Sequence, residues 1–202
     1  ENGSYVDTNL RATTGADGRY VFPASLGLMP GQYRLAQSQP EGLMSVGAVP
    51  GTVEGLASGS IESPDVLTSI NIPLGDSAAI HYDFAEAQPA SLSGFVYRDD
   101  DNDGVREPGE TGIAGVRVQL VPINTIAPQS VLTVTSAGDG SYSFTGLAPG
   151  SYEIIEVDQP ANLIDGIDAA GTVNGQTVGL AVNPGDRISQ VTLAGADVGI
   201  EG

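Results

Sequence analysis

The chain has 202 residues, with 25 acidic groups against 7 basic ones and a formal net charge of −18; it has no cysteine and no tryptophan, and its one histidine is His81. This composition excludes disulfide frameworks, thiolate nucleophiles, Cys-based zinc or iron–sulfur sites and multi-histidine metal centres. The charge repels phosphate backbones and anionic lipid, and no apolar run approaches the roughly 20 residues of a spanning helix, so neither a nucleic-acid partner nor membrane insertion is expected.

Hydrophobic residues make up 40% of the chain, enough for one or two modest cores. The chain opens at Glu1 without a Met or a signal peptide and reads as an excerpt or processed product. The first patterned segment is Asp17-Gly18-Arg19-Tyr20-Val21-Phe22, where Tyr20 and Phe22 alternate as in a strand after an Asp-Gly turn. Leu28-Met29-Pro30-Gly31-Gln32-Tyr33 follows, then Gln39-Pro40 and Gly51-Thr52-Val53 with Gly55. Ile80-His81-Tyr82-Asp83-Phe84 predicts the last strand of a first domain, and Ala87-Gln88-Pro89-Ala90 a short linker.

Beyond the linker the same order returns about 120 residues later: Asp139-Gly140-Ser141-Tyr142-Ser143-Phe144, Leu147-Ala148-Pro149-Gly150-Ser151-Tyr152, Gln159-Pro160, and Gly171-Thr172-Val173 with Gly175. Four ordered matches at nearly constant offset predict two homologous domains, 1–88 and 89–202. The first copy is incomplete, because residues 91–122 have no counterpart before Glu1. Either the array is longer than this chain, or a partner adds the missing strands at a sheet edge. Val116-Arg117-Val118-Gln119-Leu120-Val121 and Tyr152, Ile154 and Glu156 alternate with period two, turn signals punctuate the chain, and no helical period appears. The pattern is that of an all-β sandwich.

The chemistry lies in Asp99-Asp100-Asp101-Asn102-Asp103-Gly104-Val105-Arg106-Glu107-Pro108-Gly109-Glu110, which follows the calcium-loop spacing. Asp99, Asp101 and Asp103 occupy positions one, three and five, Gly104 the sharp turn at six, and Val105 the position that offers a backbone carbonyl. Glu107 acts directly or through water, and Glu110 closes the shell with two oxygens. This many hard oxygen donors favours Ca²⁺ over Mg²⁺. The flanks, Leu92–Tyr97 and Gly115–Val118, are strand-like, so calcium here stiffens the structure and does not drive the helix opening of calcium sensors. Asp139, before Gly140-Ser141-Tyr142, is either an Asp-Gly hairpin turn or an additional ligand beside the loop.

Ser93-Gly94-Phe95-Val96-Tyr97, the acidic loop, Gly112-Ile113-Ala114-Gly115-Val116 and the 139–144 and 147–152 segments together resemble the B domains of serine-aspartate-repeat (Sdr) surface adhesins, of the collagen-adhesin B-type, transthyretin-like family. That resemblance implies tandem Greek-key β-sandwiches, bound calcium and a place in a rod-like array on a bacterial surface. Tyr97 stands where that family often has Trp. Many related domains are locked by a Lys–Asn or Lys–Asp isopeptide bond, which a chain without lysine cannot form.

No enzyme is expected, since His81 alone supports no catalytic constellation and no Gly-x-Ser-x-Gly elbow is present. The expected function is a calcium-stiffened stalk module of a large secreted or surface-anchored bacterial protein. Its partners are then neighbouring repeats or subunits, and any extracellular ligand is unidentified. The alternatives are a carbohydrate-binding or accessory module of an extracellular enzyme, and a filament subunit completed by a neighbour's strand.

Overall fold

Alternation of apolar and polar residues becomes two-sheet packing in the computed structural model, which describes residues 4–200. The chain divides into two units, one drawn from Glu1–Gln39 and Gly47–Ala85, the other from Pro40–Val46 and Glu86–Gly202. Among the described residues all regular structure is β apart from one 3₁₀ turn at Ala24–Leu26.

The larger unit carries ten strands: β9 (Ala90–Phe95), β10 (Arg117–Thr125), β11 (Leu132–Thr135), β12 (Ser141–Leu147), β13 (Gly150–Glu156), β14 (Thr172–Val173), β15 (Gln176–Thr177), β16 (Leu180–Val182), β17 (Arg187–Leu193) and β18 (Val198–Ile200). The eight strands before them are β1 (Gly31–Ala36), β2 (Met44–Val49), β3 (Thr52–Val53), β4 (Leu56–Ala57), β5 (Ser60–Ser63), β6 (Val66–Ile72), β7 (Ala79–Ile80) and β8 (Asp83–Ala87).

In the larger unit one sheet runs β11-β10-β13-β17-β16 and the other β12-β9-β18-β14-β15, and the chain crosses repeatedly between them as a Greek-key sandwich does. Each strand turns alternate residues inward. Ala90, Leu92 and Gly94 of β9 are buried, as are Val118 and Leu120 of β10. These meet Tyr142, Phe144, Tyr152, Ile154 and Leu193 in one core. Full burial of a large apolar side chain contributes about 1.5–3 kcal/mol, so the core outweighs any of the exposed ion pairs, each worth at most about 1 kcal/mol. The Tyr152 hydroxyl reaches Ala148 O at 2.5 Å and Gln129 Oε1 at 2.6 Å.

The smaller unit repeats several of these details. Its sheet β1-β6-β5 has the bulge between Tyr33 and Leu35 that β13 has between Tyr152 and Ile154. Tyr33 donates to Met29 O at 2.5 Å. The β3–β4 hairpin turns through Glu54 and Gly55 at φ 50° and 78°, and β14–β15 turns through Asn174 and Gly175 at 51° and 76°. Both are the left-handed pair that a two-residue hairpin requires. The core is smaller, built on Val53, Leu67, Ile70, Ile72 and Tyr82.

Two strand expectations fail here. Residues 19–22 are not a strand, although Tyr20 and Phe22 keep the edge-to-face pair, at 6.1 Å, that Tyr142 and Phe144 make at 6.0 Å. In the larger unit β12 draws its ladder from β9; among the described residues nothing pairs with 19–22, so alternation alone yields no strand. The segment around His81 is also no continuous strand. His81 takes a left-handed φ of 62° between β7 and β8, and Tyr82 is turned into the core, its hydroxyl donating to Ser58 O at 2.9 Å.

Leu120 is 1% exposed and Leu180 is 55% exposed. Leu120→Ala is therefore expected to lower the stability of this unit by about 2–5 kcal/mol, and Leu180→Ala to change it by under about 0.5 kcal/mol. Urea unfolding of the two variants side by side reads the difference; equal losses would mean the sandwich core is not where the stability resides.

Candidate metal centre

The acidic loop leaves β9 in one sheet and returns at β10 in the other, so both of its ends are anchored before any ion is considered. Its neck is closed by an antiparallel bridge between Tyr97 and Gly112, with Arg98 N donating to Thr111 O at 2.9 Å. Beneath the neck, Val96 N donates to Gly140 O at 2.9 Å and Ile113 N to Val96 O at 2.8 Å. The backbones there approach so closely that a Cβ on Gly112 would stand 1.9 Å from Asp139 O, and one on Gly140 2.2 Å from Val96 O. Only glycine fits either position.

Within the loop, carboxylates hold the backbone as well as one another. Asp99 accepts from the N–H groups of Asn102 at 2.5 Å, Asp103 at 3.3 Å and Gly104 at 2.8 Å. Glu110 accepts from Asp100 N at 2.9 Å with one oxygen and from Glu107 N at 3.0 Å with the other. Asp103 accepts from Val105 N at 2.8 Å. These bonds coil the loop so that one carboxylate oxygen each of Asp99, Asp101 and Asp103 lies within 4.8 Å of the others. The same is true of Asp101, Glu107 and Glu110, and Asp101 belongs to both groups. Asp100 is turned away, taken by Arg98 in a two-pronged pair at 2.6 and 2.8 Å.

The protonation behaviour reflects crowded negative charge. The charge of Asp103 raises the Asp101 carboxyl above the usual range, with burial and Asp99 adding to it. Glu107 is raised by burial and then by Asp103, Asp101, Glu110 and Asp99. Burial would raise Asp99 too, but its three backbone donors outweigh that and bring it below the usual range. Arg98 lowers Asp100 by its hydrogen bonds.

This donor set suits a hard divalent cation. Two oxygens bound to one Ca²⁺ at about 2.4 Å each stand no more than about 5 Å apart, which the two overlapping groups satisfy. Five of the seven predicted positions, Asp99, Asp101, Asp103, Glu107 and Glu110, therefore come together. Val105 sits in the same coil, with its side chain 56% exposed. Asp139 joins neither group. Its Oδ1 accepts from Ser141 N at 3.0 Å and Ser141 Oγ at 2.7 Å, the bonding of an Asp-Gly hairpin turn.

A second set of carboxylates escapes sequence reasoning. Glu156 ends β13, Asp186 precedes β17 and Asp168 lies in the loop before β14; with Ile154, Val118 and Phe95 they line a cavity of about 60 Å³. Burial pushes Glu156 up to about 7, reinforced by Asp186, Asp168, Asp165 and Asp158. Asp168 is pushed up to about 6 by burial, against the pull of the Arg187 N–H it accepts at 3.1 Å. Asp186 is raised by burial and by Asp165. The nearby Arg187 guanidinium reaches Glu153 at 3.7 Å. A run such as Asp165-Gly166-Ile167-Asp168 in a loop is the one sequence signal for this cluster.

Comparison with known proteins places these features. Residues 90–196 match the family model described as SdrD B-like domain. Serine-aspartate repeat-containing protein D of Staphylococcus aureus strain Newman is 31% identical over 181 residues, covering 85% of this chain and 13% of that protein. Serine-aspartate repeat-containing protein F of Staphylococcus epidermidis is 29% identical over 194 residues, 94% of this chain and 10% of its own length. The chain thus spans 13% or less of these two relatives. The crystal structure of BcpA, the major pilin subunit of Bacillus cereus, overlaps 90% of this chain and 62% of its own at 11% identity and a TM-score of 0.31, too low to bear on the fold.

Glu156 and Asp168 hold protons in the folded state at pH values where an unfolded carboxyl, near pH 4, has lost them. Between about pH 4.5 and 7 the folded chain therefore binds more protons than the unfolded one, and stability falls as pH rises through that window. Melting temperatures recorded in EDTA from pH 4.5 to 8 should decline, and Glu156→Gln should flatten the decline; an unchanged slope in that variant would assign the titration elsewhere.

Proposed function

This chain belongs to the SdrD B-like domain family, and on that footing we propose that it is a non-catalytic, calcium-stiffened structural module of a large secreted or cell-surface bacterial protein. The observation that carries the reading is the pair of carboxylate groups sharing Asp101 inside a loop whose neck is already closed by backbone bonds. Asp99, Asp101, Asp103, Glu107 and Glu110 would hold the ion, with the Val105 carbonyl completing the shell. The ion would supply positive charge to a loop that has six carboxylates in twelve residues. The protein's own part is to coil the backbone through Asp99 and Glu110 and to tie both loop ends into opposite sheets. A loop drawn together by the ion then resists bending where one sheet passes to the other, which is what a stalk module needs.

We also read residues 1–88 as an incomplete repeat of 89–202, with neighbouring repeats of the array as its partners. The repeated bulge, hairpin turn and Tyr-to-carbonyl bond support this. One further observation favours a second reading, a filament subunit completed by a neighbour's strand. β13 pairs with β10 on one side and β17 on the other, whereas β1 pairs only with β6 among the described residues. An open edge of that kind accepts an added strand.

Metal that binds only the folded state stabilises it by RT ln(1 + [L]/Kd), about 2.7 kcal/mol at a hundredfold excess over Kd. A calcium titration of the whole chain should raise the melting temperature of one transition saturably, and Asp101→Ala should abolish the rise. Curves identical in calcium and in EDTA would leave the loop a solvated turn. For the filament reading, sedimentation velocity across a wide concentration range should show self-association; a monomer throughout removes it.

A further inference from the structure

The metal loop has a neighbour that its own sequence does not reveal. Gly104, at the sharp turn of the loop, is the one buried residue between Asp99 and Glu110, and its φ is +77°. What covers it is Ile167: a Cβ built on Gly104 would stand 2.9 Å from Ile167 Cγ2 and 3.5 Å from its Cβ. Next to it, a Cβ on Gly166 would stand 3.5 Å from Asn102 Oδ1. Residues 166–167 therefore lie across positions four and six of the loop.

This covering segment is held in place. Asp168 N donates to Asn183 Oδ1 at 2.8 Å, and Asn183 Nδ2 donates back to Asp168 O at 3.0 Å. The Asp168 carboxylate accepts from Arg187 N, the first residue of β17, at 3.1 Å. The anchor is thus made to the strand that runs beside β13 in the core. Pressure on Gly104 reaches a ligand directly, because the Gly104 N–H is donated to Asp99.

We propose that the segment 166–168 is a brace for the calcium loop, with Ile167 as a positioning residue seated on Gly104 and the Asp168–Asn183 pair as its anchor. The proposal rests on the calcium reading above. Ile167 touches no ion; it narrows the shapes the loop can take, so less ordering is left for binding to impose. Coupling of this kind is reciprocal: if the brace strengthens calcium binding, bound calcium quietens the brace by the same factor.

The test uses the whole chain, with Ile167→Ala, Ile167→Val and Asn183→Ala. Calcium affinity by isothermal titration should fall about tenfold in Ile167→Ala, the scale on which groups behind metal ligands act. Its stoichiometry should not change, and Ile167→Val should stay near the parent. Hydrogen exchange in EDTA should be faster at Asn102, Asp103 and Gly104 in Ile167→Ala, and calcium should slow exchange over 166–168 in the parent but not in Asn183→Ala. Ile167 is 40% exposed, so melting in EDTA should barely move. Unchanged affinity, or unchanged exchange in EDTA, overturns the brace while calcium binding stands. If the parent binds no calcium, the functional reading falls, and the exchange rates in EDTA still decide whether Ile167 holds the loop.

Discussion

Strands β9 and β10 are consecutive in the chain but belong to opposite sheets, so residues 96–116 must cross the end of the sandwich. Everything distinctive about the larger unit follows from how that crossing is built. The apolar alternation of β9 and β10 fixes where the crossing starts and ends. The close approach at Gly112 and Gly140 draws its two ends together. What remains is a closed loop of twelve residues with six carboxylates, in which carboxylate-to-amide bonds coil the backbone and bring five of the carboxylates close to one another. Those bonds favour a curled loop, and the charge they concentrate opposes it. On the function proposed above, a hard cation would relieve that conflict.

The two units show how much of a β-structure is a relation between segments. Tyr20 and Phe22 carry the same pattern as Tyr142 and Phe144 and keep the same aromatic pairing, yet only the second pair lies in a strand. A helix satisfies its backbone locally, whereas a strand needs a partner for every other N–H and C=O. β12 has that partner in β9. Among the described residues β1 pairs only with β6. The need for a partner makes strand completion a physical question about neighbours.

Carboxylates serve in two different capacities in this chain. In the acidic loop they are more exposed: the charge of Asp103 leads the rise at Asp101, burial leads the rise at Glu107, and backbone donors bring Asp99 down. Around Glu156 they are half-buried beside Phe95, Val118 and Ile154, where loss of water is the leading cause of the shift. An acid withdrawn from water keeps its proton longer. The brace segment runs between the two clusters, with Ile167 on the loop and Asp168 at the cavity, so apolar contact and backbone anchoring join them without any charge pair.

Sequence by itself determined what is local or periodic. Alternation gave the β class, the Asp-Gly and Pro-Gly turns marked the strand ends, and the order of matches about 120 residues apart showed a duplicated pattern. The gathering of Asp99, Asp101, Asp103, Glu107 and Glu110 was legible because these carboxylates lie in one short stretch. Tertiary structure alone decided whatever depends on a distant partner. It interrupted the expected strand at His81 and left 19–22 without a ladder. It gathered Glu156, Asp168 and Asp186 from three separate segments and set Ile167 on Gly104, some sixty residues away in the chain. The reason is physical: spacing encodes contacts made within a turn or a loop, whereas burial and pairing are set by which strands meet across the sandwich.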